Sequence, residues 1–151
     1  TNIKTSLSKY ALTPGSTKRE WWLRFTAAEK LELDLYDESS SGNIGRLYNT
    51  ALGAGSLLFV VATYDGSRAS SGIRLYSAAA RIDDTSSDAG SYAGMENTAS
   101  LVRLGFSQGT AAGANFFTGS MGCVALAAKQ LTIDEIWALK ALGNAYYDLT
   151  L

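Results

Sequence analysis

The chain has 151 residues, 46% of them apolar and 18% charged, which fits one globular domain and is not typical of a disordered protein. Its 13 basic and 14 acidic residues give a net charge of −1, which argues against nonspecific binding of nucleic acid. No apolar run reaches the roughly 20 residues of a membrane-spanning helix. The sequence contains no histidine, so it lacks the commonest general base and zinc ligand.

The first half of the chain alternates apolar and polar residues, which predicts β-strands. A first strand is predicted over residues 5–12, ending in the turn sequence Thr13-Pro14-Gly15-Ser16. Two further strands, 20–26 and 30–37, are joined by a turn at 27–29, and a loop at 39–43 leads to a short strand at 44–48. The apolar residues expected on one face of the two central strands are Trp21, Leu23, Phe25, Leu31, Leu33 and Leu35.

The second half begins with a nearly continuous apolar run at 57–64, which predicts a strand covered on both faces. Asp65-Gly66 ends this run with a turn, and a strand at 72–79 leads to a long polar loop at 81–98. Strands are also predicted at 100–107 and 119–128. The only cysteine, Cys123, falls in the last of these, where we expect a buried small side chain; one cysteine cannot form a disulfide within the chain.

The C-terminal segment changes from a strand pattern to a helix pattern. Thr132 and Glu135 form a capping-box sequence that predicts the helix start, and Gly143-Asn144 predicts its end. A last strand is expected at 145–151. The helix side chains expected to pack on the body of the domain are Ile136, Trp137, Leu139 and Leu142, and Tyr146 is likewise expected to pack rather than contact a ligand.

Eight or so short strands and one late helix predict a single all-β domain over residues 1–151. Each strand has an apolar face that needs an opposing layer, so a two-sheet antiparallel sandwich follows.

Five segments resemble the laminin-G-like, concanavalin A-like jelly-roll family. Phe117-Thr118-Gly119-Ser120-Met121-Gly122, with the residues to Ile136, is similar to the closing pattern F-x-G-x-[IM]-G-x-V-x-[LI] followed by L-[ST]-x-x-E-I. Residues 62–67 (ATYDGS) resemble a hairpin of the same family, and residues 72–76 (GIRLY) and 101–106 resemble two of its later strands. Residues 4–10 resemble the family strand that normally follows an N-terminal strand. The resemblance therefore implies a jelly-roll sandwich that begins at the family's second or third strand, and we expect a C-terminal module of a longer protein with strands missing upstream.

Strand alternation places a mixed set of charged and aromatic side chains on the face opposite the leucines. If this face is exposed, its rings would stack on sugars while its charged groups bind hydroxyls. The alternative is that a neighbouring domain or another subunit covers the face, which would make Trp22 an interface residue. The predicted glycan-binding residues are Trp22, Arg24, Glu32, Asp34, Tyr36, Arg74 and Tyr76.

Calcium is considered as a cofactor because loop carboxylates and amides supply the oxygen ligands that it prefers. The residues considered are Asp83, Asp84, Asp88 and Asn97. Otherwise no cofactor is expected.

Residues 32–38 (ELDLYDE) resemble the E-x-D-x-x-E motif of laminarinase-type glycoside hydrolases. Retaining hydrolysis requires two carboxyl groups about 5–5.5 Å apart. Those enzymes are usually longer and build a cleft from long loops, and the third motif position here is Asp37 instead of glutamate. We therefore expect no enzymatic activity.

Two classes of function remain. The first is a noncatalytic glycan-binding or adhesion module of a larger extracellular or phage-virion protein, with a glycan or a surface protein as its partner. The second is a structural, decoration or assembly module that contacts neighbouring domains or subunits and binds no soluble ligand. Neither class involves nucleic acid or insertion into a membrane.

Overall fold

The computed structural model describes residues 4–13, 16–53, 55–108 and 115–148. In these residues nine strands form two antiparallel sheets, and one α-helix follows them. The predicted all-β character with two sheets is confirmed. The strands are β1 (Lys4–Thr13), β2 (Ser16–Phe25), β3 (Leu31–Asp37), β4 (Gly42–Leu47), β5 (Val60–Tyr64), β6 (Ile73–Ser77), β7 (Ala80–Arg81), β8 (Thr85–Ser86) and β9 (Val102–Leu104), and the helix is α1 (Ile133–Tyr147).

The larger sheet, sheet A, has the strand order β8-β4-β3-β2-β1-β9, and the smaller sheet B has the order β5-β6-β7. Thr13 pairs with Ser16 where β1 meets β2, and the predicted turn residues Pro14 and Gly15 between them lie outside the described residues. In the β2–β3 ladder Leu23 lies opposite Leu33, so their side chains share one face of sheet A.

The core lies between the two sheets. It combines buried residues of sheet A with two from sheet B, and the predicted leucine row is confirmed as part of it. Removing each such aliphatic side chain from water contributes about 1.5–3 kcal/mol, so this cluster supplies much of the favourable free energy of folding. Its buried members are Leu31, Leu33, Leu35, Ile44, Ile73 and Leu75, with Trp21, Leu23 and Phe25 packed against them.

Helix α1 packs on the outer face of sheet B through Ile136, which contacts Tyr76 and Ala79. The predicted capping box is confirmed: the Thr132 hydroxyl accepts a hydrogen bond from the Glu135 N–H, and the Glu135 carboxylate accepts one from the Thr132 N–H. No helix among the described residues is long and apolar enough to cross a membrane.

The end of the helix differs from the prediction. Gly143-Asn144 does not stop it, because a single glycine in a helix interior costs only about 1 kcal/mol, and α1 continues to Tyr147. Asp148 ends it in the left-handed conformation and donates its N–H to the Asn144 carbonyl. The predicted last strand is therefore wrong for residues 145–148, and residues 149–151 lie outside the described part of the chain.

The expected packing of the helix is also wrong for every member of the set except Ile136. Trp137 is 52% exposed and Tyr146 is 78% exposed. Leu139 and Leu142 are exposed as well, since the helix contacts sheet B along a narrower stripe than the sequence pattern predicts.

Two predicted strands differ in the structure in their backbone pairing. Residues 119–128 form no strand, because no described strand pairs with them, and Cys123 is exposed instead of buried. The run at 57–64 shortens to β5, which lies at the edge of sheet B among the described strands and not at its centre. Both faces of the run do pack on other residues: Val60, Ala62 and Tyr64 on the core, and Phe59 and Val61 on the cluster around Ile136.

The remaining departures lie near the long loop. The region 81–98 is not wholly irregular, because it contains β8, which adds a strand to sheet A beside β4. The strand predicted at 100–107 is reduced to the three residues of β9.

Candidate functional site

The face of sheet A that points away from the core carries a cluster of polar and aromatic side chains, here called the outer face. It is assembled by cross-strand pairing: Trp22 lies opposite Asp34, and Arg24 lies opposite Glu32. Tyr36 lies farther along β3 on the same side, and Tyr10 of β1 packs with Trp22 and Tyr36. Five of the seven predicted glycan contacts thus come together on one surface.

The predicted exposure of this set is wrong. Trp22 is only 8% exposed and Asp34 only 3% exposed, and Glu32 and Tyr36 are also buried. All seven residues of β3 are buried, although the strand alternates between leucines and polar residues. The outer-face side chains bury one another, because rings and long charged side chains on adjacent strands lie within contact distance.

Trp22 is the centre of the aromatic cluster. The Tyr10 ring stacks on it with centroids 4.5 Å apart and planes 7° apart, and the Arg24 guanidinium lies 3.9 Å from the centre of its ring. Tyr36 meets Trp22 edge-on at 5.9 Å. Since Tyr10 and Arg24 already lie against its flat surfaces, Trp22 presents little ring area for stacking on a sugar.

The two carboxylates of the cluster are fully engaged with neighbouring side chains. Asp34 Oδ2 accepts a 2.6 Å hydrogen bond from Trp22 Nε1, and Oδ1 accepts one of 3.1 Å from the Ser87 hydroxyl. Glu32 Oε2 accepts a 2.6 Å bond from Arg24 Nε, and a second guanidinium nitrogen of Arg24 lies 3.4 Å from Asp34. One arginine thus links both carboxylates, which is the arrangement that a buried acidic pair requires.

Gly45 makes room for this network. It lies opposite Asp34 in the β3–β4 ladder, and a Cβ built on it would be closer than 3.0 Å to the Asp34 carboxylate and the Ser87 hydroxyl. Only a residue without a side chain allows Asp34 to lie flat against β4.

Burial changes the ionisation of the outer face. Removal from water, followed by the nearby negative charge of Asp34, raises the pKa of Glu32 above its ordinary value of 4.5, and the Arg24 guanidinium opposes this shift. Burial also raises the pKa values of Tyr10 and Tyr36. The face therefore holds phenols that stay neutral at physiological pH and a carboxyl that ionises less readily than in water.

The E-x-D-x-x-E resemblance is only partly matched in space. Glu32 and Asp34 lie together, but Asp37 binds the loops: its carboxylate accepts hydrogen bonds from the N–H groups of Ser40, Ala93 and Gly94. The bonds from Ala93 and then Ser40 hold the pKa of Asp37 well below its ordinary value. Glu38 forms an ion pair with Arg19. Neither later position adds a third carboxyl to the pair at Glu32 and Asp34.

Arg74 and Tyr76 do not join the cluster, because both belong to β6 in sheet B. Tyr76 is buried against Ala79 and Ile136, so its predicted exposure is wrong. Arg74 is exposed; hydrogen bonds from Ser67 lower the pKa of Asp65, and the charge of Arg74 adds a smaller effect in the same direction.

The residues considered for calcium are used in separate contacts. Asp83 pairs with Arg81, Asp84 accepts the N–H of Asn49, and Asp88 accepts the Ser70 hydroxyl. Asn97 accepts a hydrogen bond from Lys9 instead. Over the described ranges, no group of three or more acidic or cysteine side chains is placed to hold a metal ion.

Sequence reasoning missed three contributors to the outer face. Tyr10 could have been found, because it alternates with the core residues of β1. Ser87 lies in the long loop and Gly45 carries no side chain, so no periodic signal identifies either one.

A second group of exposed apolar side chains, here called the apolar surface, lies within residues 101–108 and 115–147. It comprises large side chains that neither sheet covers, on β9, on the extended segment after residue 115 and on α1. Its most exposed members are Leu101 (67%), Phe116 (58%), Leu126 (62%), Leu142 (67%) and Tyr146 (78%), with Val102, Leu104, Val124 and Trp137 also at least 44% exposed.

Comparison of the chain with protein-family models, with curated proteins and with solved structures finds no match. The resemblance to the concanavalin A-like family therefore stays a prediction, and the function has to be argued from the two surfaces.

Proposed function

We propose that this chain is a noncatalytic assembly or adhesion module with a concanavalin A-like jelly-roll fold, which contacts neighbouring domains or subunits at an extracellular or virion surface. The observation that carries the proposal is the apolar surface. At least nine of its large apolar side chains are 44% or more exposed, and apolar exposure concentrated in one part of a chain often marks contacts with another protein.

The outer face supports the same choice. Its rings are stacked on one another and its carboxylates are bound within the sheet, so it is organised as a self-contained polar layer. In this proposal Trp22 stabilises sheet A, and the contact with partners is made by the apolar surface. No catalytic step is included, because the Glu32 and Asp34 carboxylates are buried and already accept hydrogen bonds from Arg24 and Trp22.

The test is sedimentation velocity of the chain over a wide concentration range, comparing the wild type with a variant carrying Leu126→Lys and Leu142→Lys. Both side chains are more than 60% exposed, so the substitutions should leave the melting temperature nearly unchanged. We expect the wild type to associate and the variant to associate less. A wild type that stays monomeric throughout would contradict the proposal.

A glycan-binding module is the second candidate. It is favoured by the chemistry of the outer face, where Arg24 and Glu32 offer a charged donor and a charged acceptor beside aromatic rings. Binding would have to use ring edges and polar groups, since the faces of Trp22 are covered.

A glycan array and a thermal-shift screen, each with and without calcium, test this candidate. A ligand that raises the melting temperature, and that loses affinity in an Arg24→Lys variant, would favour glycan recognition. An array without hits, alongside association of the wild type, would favour assembly.

A further inference from the structure

The two sheets of the sandwich are unequal, and the smaller one leaves part of the core face of sheet A uncovered. Leu104 lies opposite Leu7, and Leu7 lies opposite the core residue Leu23, so Leu104 points to the core side of sheet A. Leu104 is nevertheless 52% exposed, and Val102, two residues earlier on the same face, is 51% exposed. Side chains that face the core but remain half in water indicate that none of the described strands covers β9.

Among the described strands, the edge of sheet B that has no neighbour is that of β5, and it lies on the side of this gap. Beyond β7, the N–H of Asp84 donates to the Leu47 carbonyl at the end of β4, so β7 lies toward the β4 side of sheet A. Strand β5 is at the other end of the order β5-β6-β7. A strand added to the open edge of β5 would therefore extend sheet B across β1 and β9.

The chain contains a segment suited to that position. Residues 119–128 (GSMGCVALAA) are uncharged and lack proline, and they pair with no described strand. Val124 (44% exposed) and Leu126 (62% exposed) are two residues apart, so in a strand they would share one face. β5 (VVATY) is also uncharged, and pairing the two would bring no like charges together.

The described contacts of this segment within its own chain are with elements other than β5. The Phe117 N–H donates a 2.7 Å hydrogen bond to the Gly105 carbonyl, and Gly122 lies so close to the Tyr147 ring that a Cβ there would contact its hydroxyl at 2.9 Å. Among the described residues of one molecule, the segment and the open edge of β5 are therefore not paired.

We propose that two copies of the chain exchange strands: residues 119–128 of each copy add a strand to the open edge of β5 in the other. The exchange is a twofold-symmetric contact in which each molecule supplies both the edge and the strand. Val124 and Leu126 would then cover Val102 and Leu104 of the other copy. This inference rests on the proposed assembly function and specifies its partner.

The first experiment measures the mass of the chain in solution by light scattering after size-exclusion chromatography. We expect a dimer for the wild type and a monomer with an unchanged melting temperature for Val124→Asp with Leu126→Asp. The matched control is Leu139→Asp with Leu142→Asp on the helix, which should remain dimeric. Loss of the dimer only in the helix variant would overturn strand exchange while leaving the assembly function standing, whereas a monomeric wild type would overturn both.

The second experiment uses the single native cysteine. Val60→Cys, Val61→Cys and Ala62→Cys are made one at a time, and disulfides to Cys123 are formed under mild oxidation. At least one β5 position should give an interchain dimer on a non-reducing gel, because paired strands bring Cα atoms within disulfide reach. Ser39→Cys, on an exposed turn, measures cross-linking by chance collision. An intrachain product, or no product above this control, would overturn the exchange between copies.

Discussion

The indole nitrogen of Trp22 donates a 2.6 Å hydrogen bond to the carboxylate of Asp34, the residue directly opposite it across the β2–β3 ladder. This bond connects the aromatic half of the outer face to its charged half. It also explains how an acidic side chain only 3% exposed is accommodated in a sheet, since an unpaired buried carboxylate would be costly.

Replacing Trp22 by alanine should lower stability severely. The substitution removes a buried ring that contacts Tyr10 and Arg24 and takes the indole donor from Asp34, and buried Trp→Ala changes typically cost about 3–5 kcal/mol. The measurement is chemical unfolding followed by circular dichroism.

Trp22→Phe is the matched control for this experiment. It keeps an aromatic ring but loses the donor, so it should cost about 1–3 kcal/mol, the cost of leaving one buried partner unsatisfied. An alanine variant as stable as the wild type would mean that Trp22 is a surface residue after all.

A second prediction contrasts the leucines of the core with those of the apolar surface. Leu31 is fully buried, so Leu31→Ala should cost about 2–5 kcal/mol, through lost burial and a cavity. Leu142 is 67% exposed, and Leu142→Ala should stay within about 0.5 kcal/mol of the wild type. Unfolding free energies of the two variants provide the comparison, and equal losses would argue against the described position of α1.

Alternation along the strands was enough to predict which residues of sheet A face the core. The Leu31, Leu33 and Leu35 row and its β2 partners follow from the period of two. The same rule assigned Asp34 and Trp22 to the opposite face, also correctly, but it carries no information about what lies above that face. Exposure was therefore misjudged there, because the burial comes from neighbouring side chains on the sheet and from Ser87 in a distant loop.

The C-terminal third was less predictable for a different reason. Residues 119–128 have a strand pattern, but a strand also requires a neighbour to accept its backbone hydrogen bonds, and local sequence does not specify one. The helix start was predictable, because the capping box depends only on contacts between Thr132 and Glu135, three residues apart. The helix end depended on the conformation of Asp148.

A third prediction concerns the pH dependence contributed by Glu32. Because burial raises its pKa in the folded state, its favourable contribution is complete below the ordinary value of 4.5 and is lost as the pH rises through the folded value. Glu32→Gln removes this loss. As the pH rises from about 4 to about 7, the free energy of unfolding of the wild type should therefore fall relative to that of Glu32→Gln. If the wild type instead became more stable relative to the variant as the pH rises, the ion pair with Arg24 would have a larger effect on the pKa of Glu32 than burial has.

Asp37 should show the opposite dependence. Hydrogen bonds from Ala93 and Ser40 lower its pKa in the folded state, so its contribution is complete above the ordinary value of 3.8 and is lost as the pH falls through the folded value. The free energies of unfolding of the wild type and of Asp37→Asn should be measured from about pH 2 to pH 5, because the change is expected below the ordinary pKa of 3.8. The wild type should become more stable relative to the variant as the pH rises. A difference that stays constant would show that the charge of the Asp37 carboxylate does not strengthen its hydrogen bonds to the loops.

The last prediction uses two glycines in different surroundings. A Cβ on Gly45 would collide with the Asp34 carboxylate and the Ser87 hydroxyl, whereas a Cβ on Gly143 would meet nothing within 4 Å. Gly45→Ala should therefore cost about 1–3 kcal/mol, the usual penalty of overpacking, because it displaces Asp34 from its place opposite β4. Gly143→Ala should stabilise the helix interior by about 0.5–1 kcal/mol, because alanine loses less backbone entropy on folding than glycine.

Two measurements test both glycine variants: the melting temperature and the near-ultraviolet circular dichroism of the Trp22 cluster. Together they separate a change in the Trp22 cluster from a change in overall stability. Gly45→Ala should change the aromatic signal as well as the melting temperature, since Asp34 holds the Trp22 indole. Gly143→Ala should raise the melting temperature and leave the aromatic signal of sheet A unaltered. A Gly45→Ala protein with wild-type stability and an unchanged aromatic spectrum would contradict the network that joins Gly45, Asp34 and Trp22.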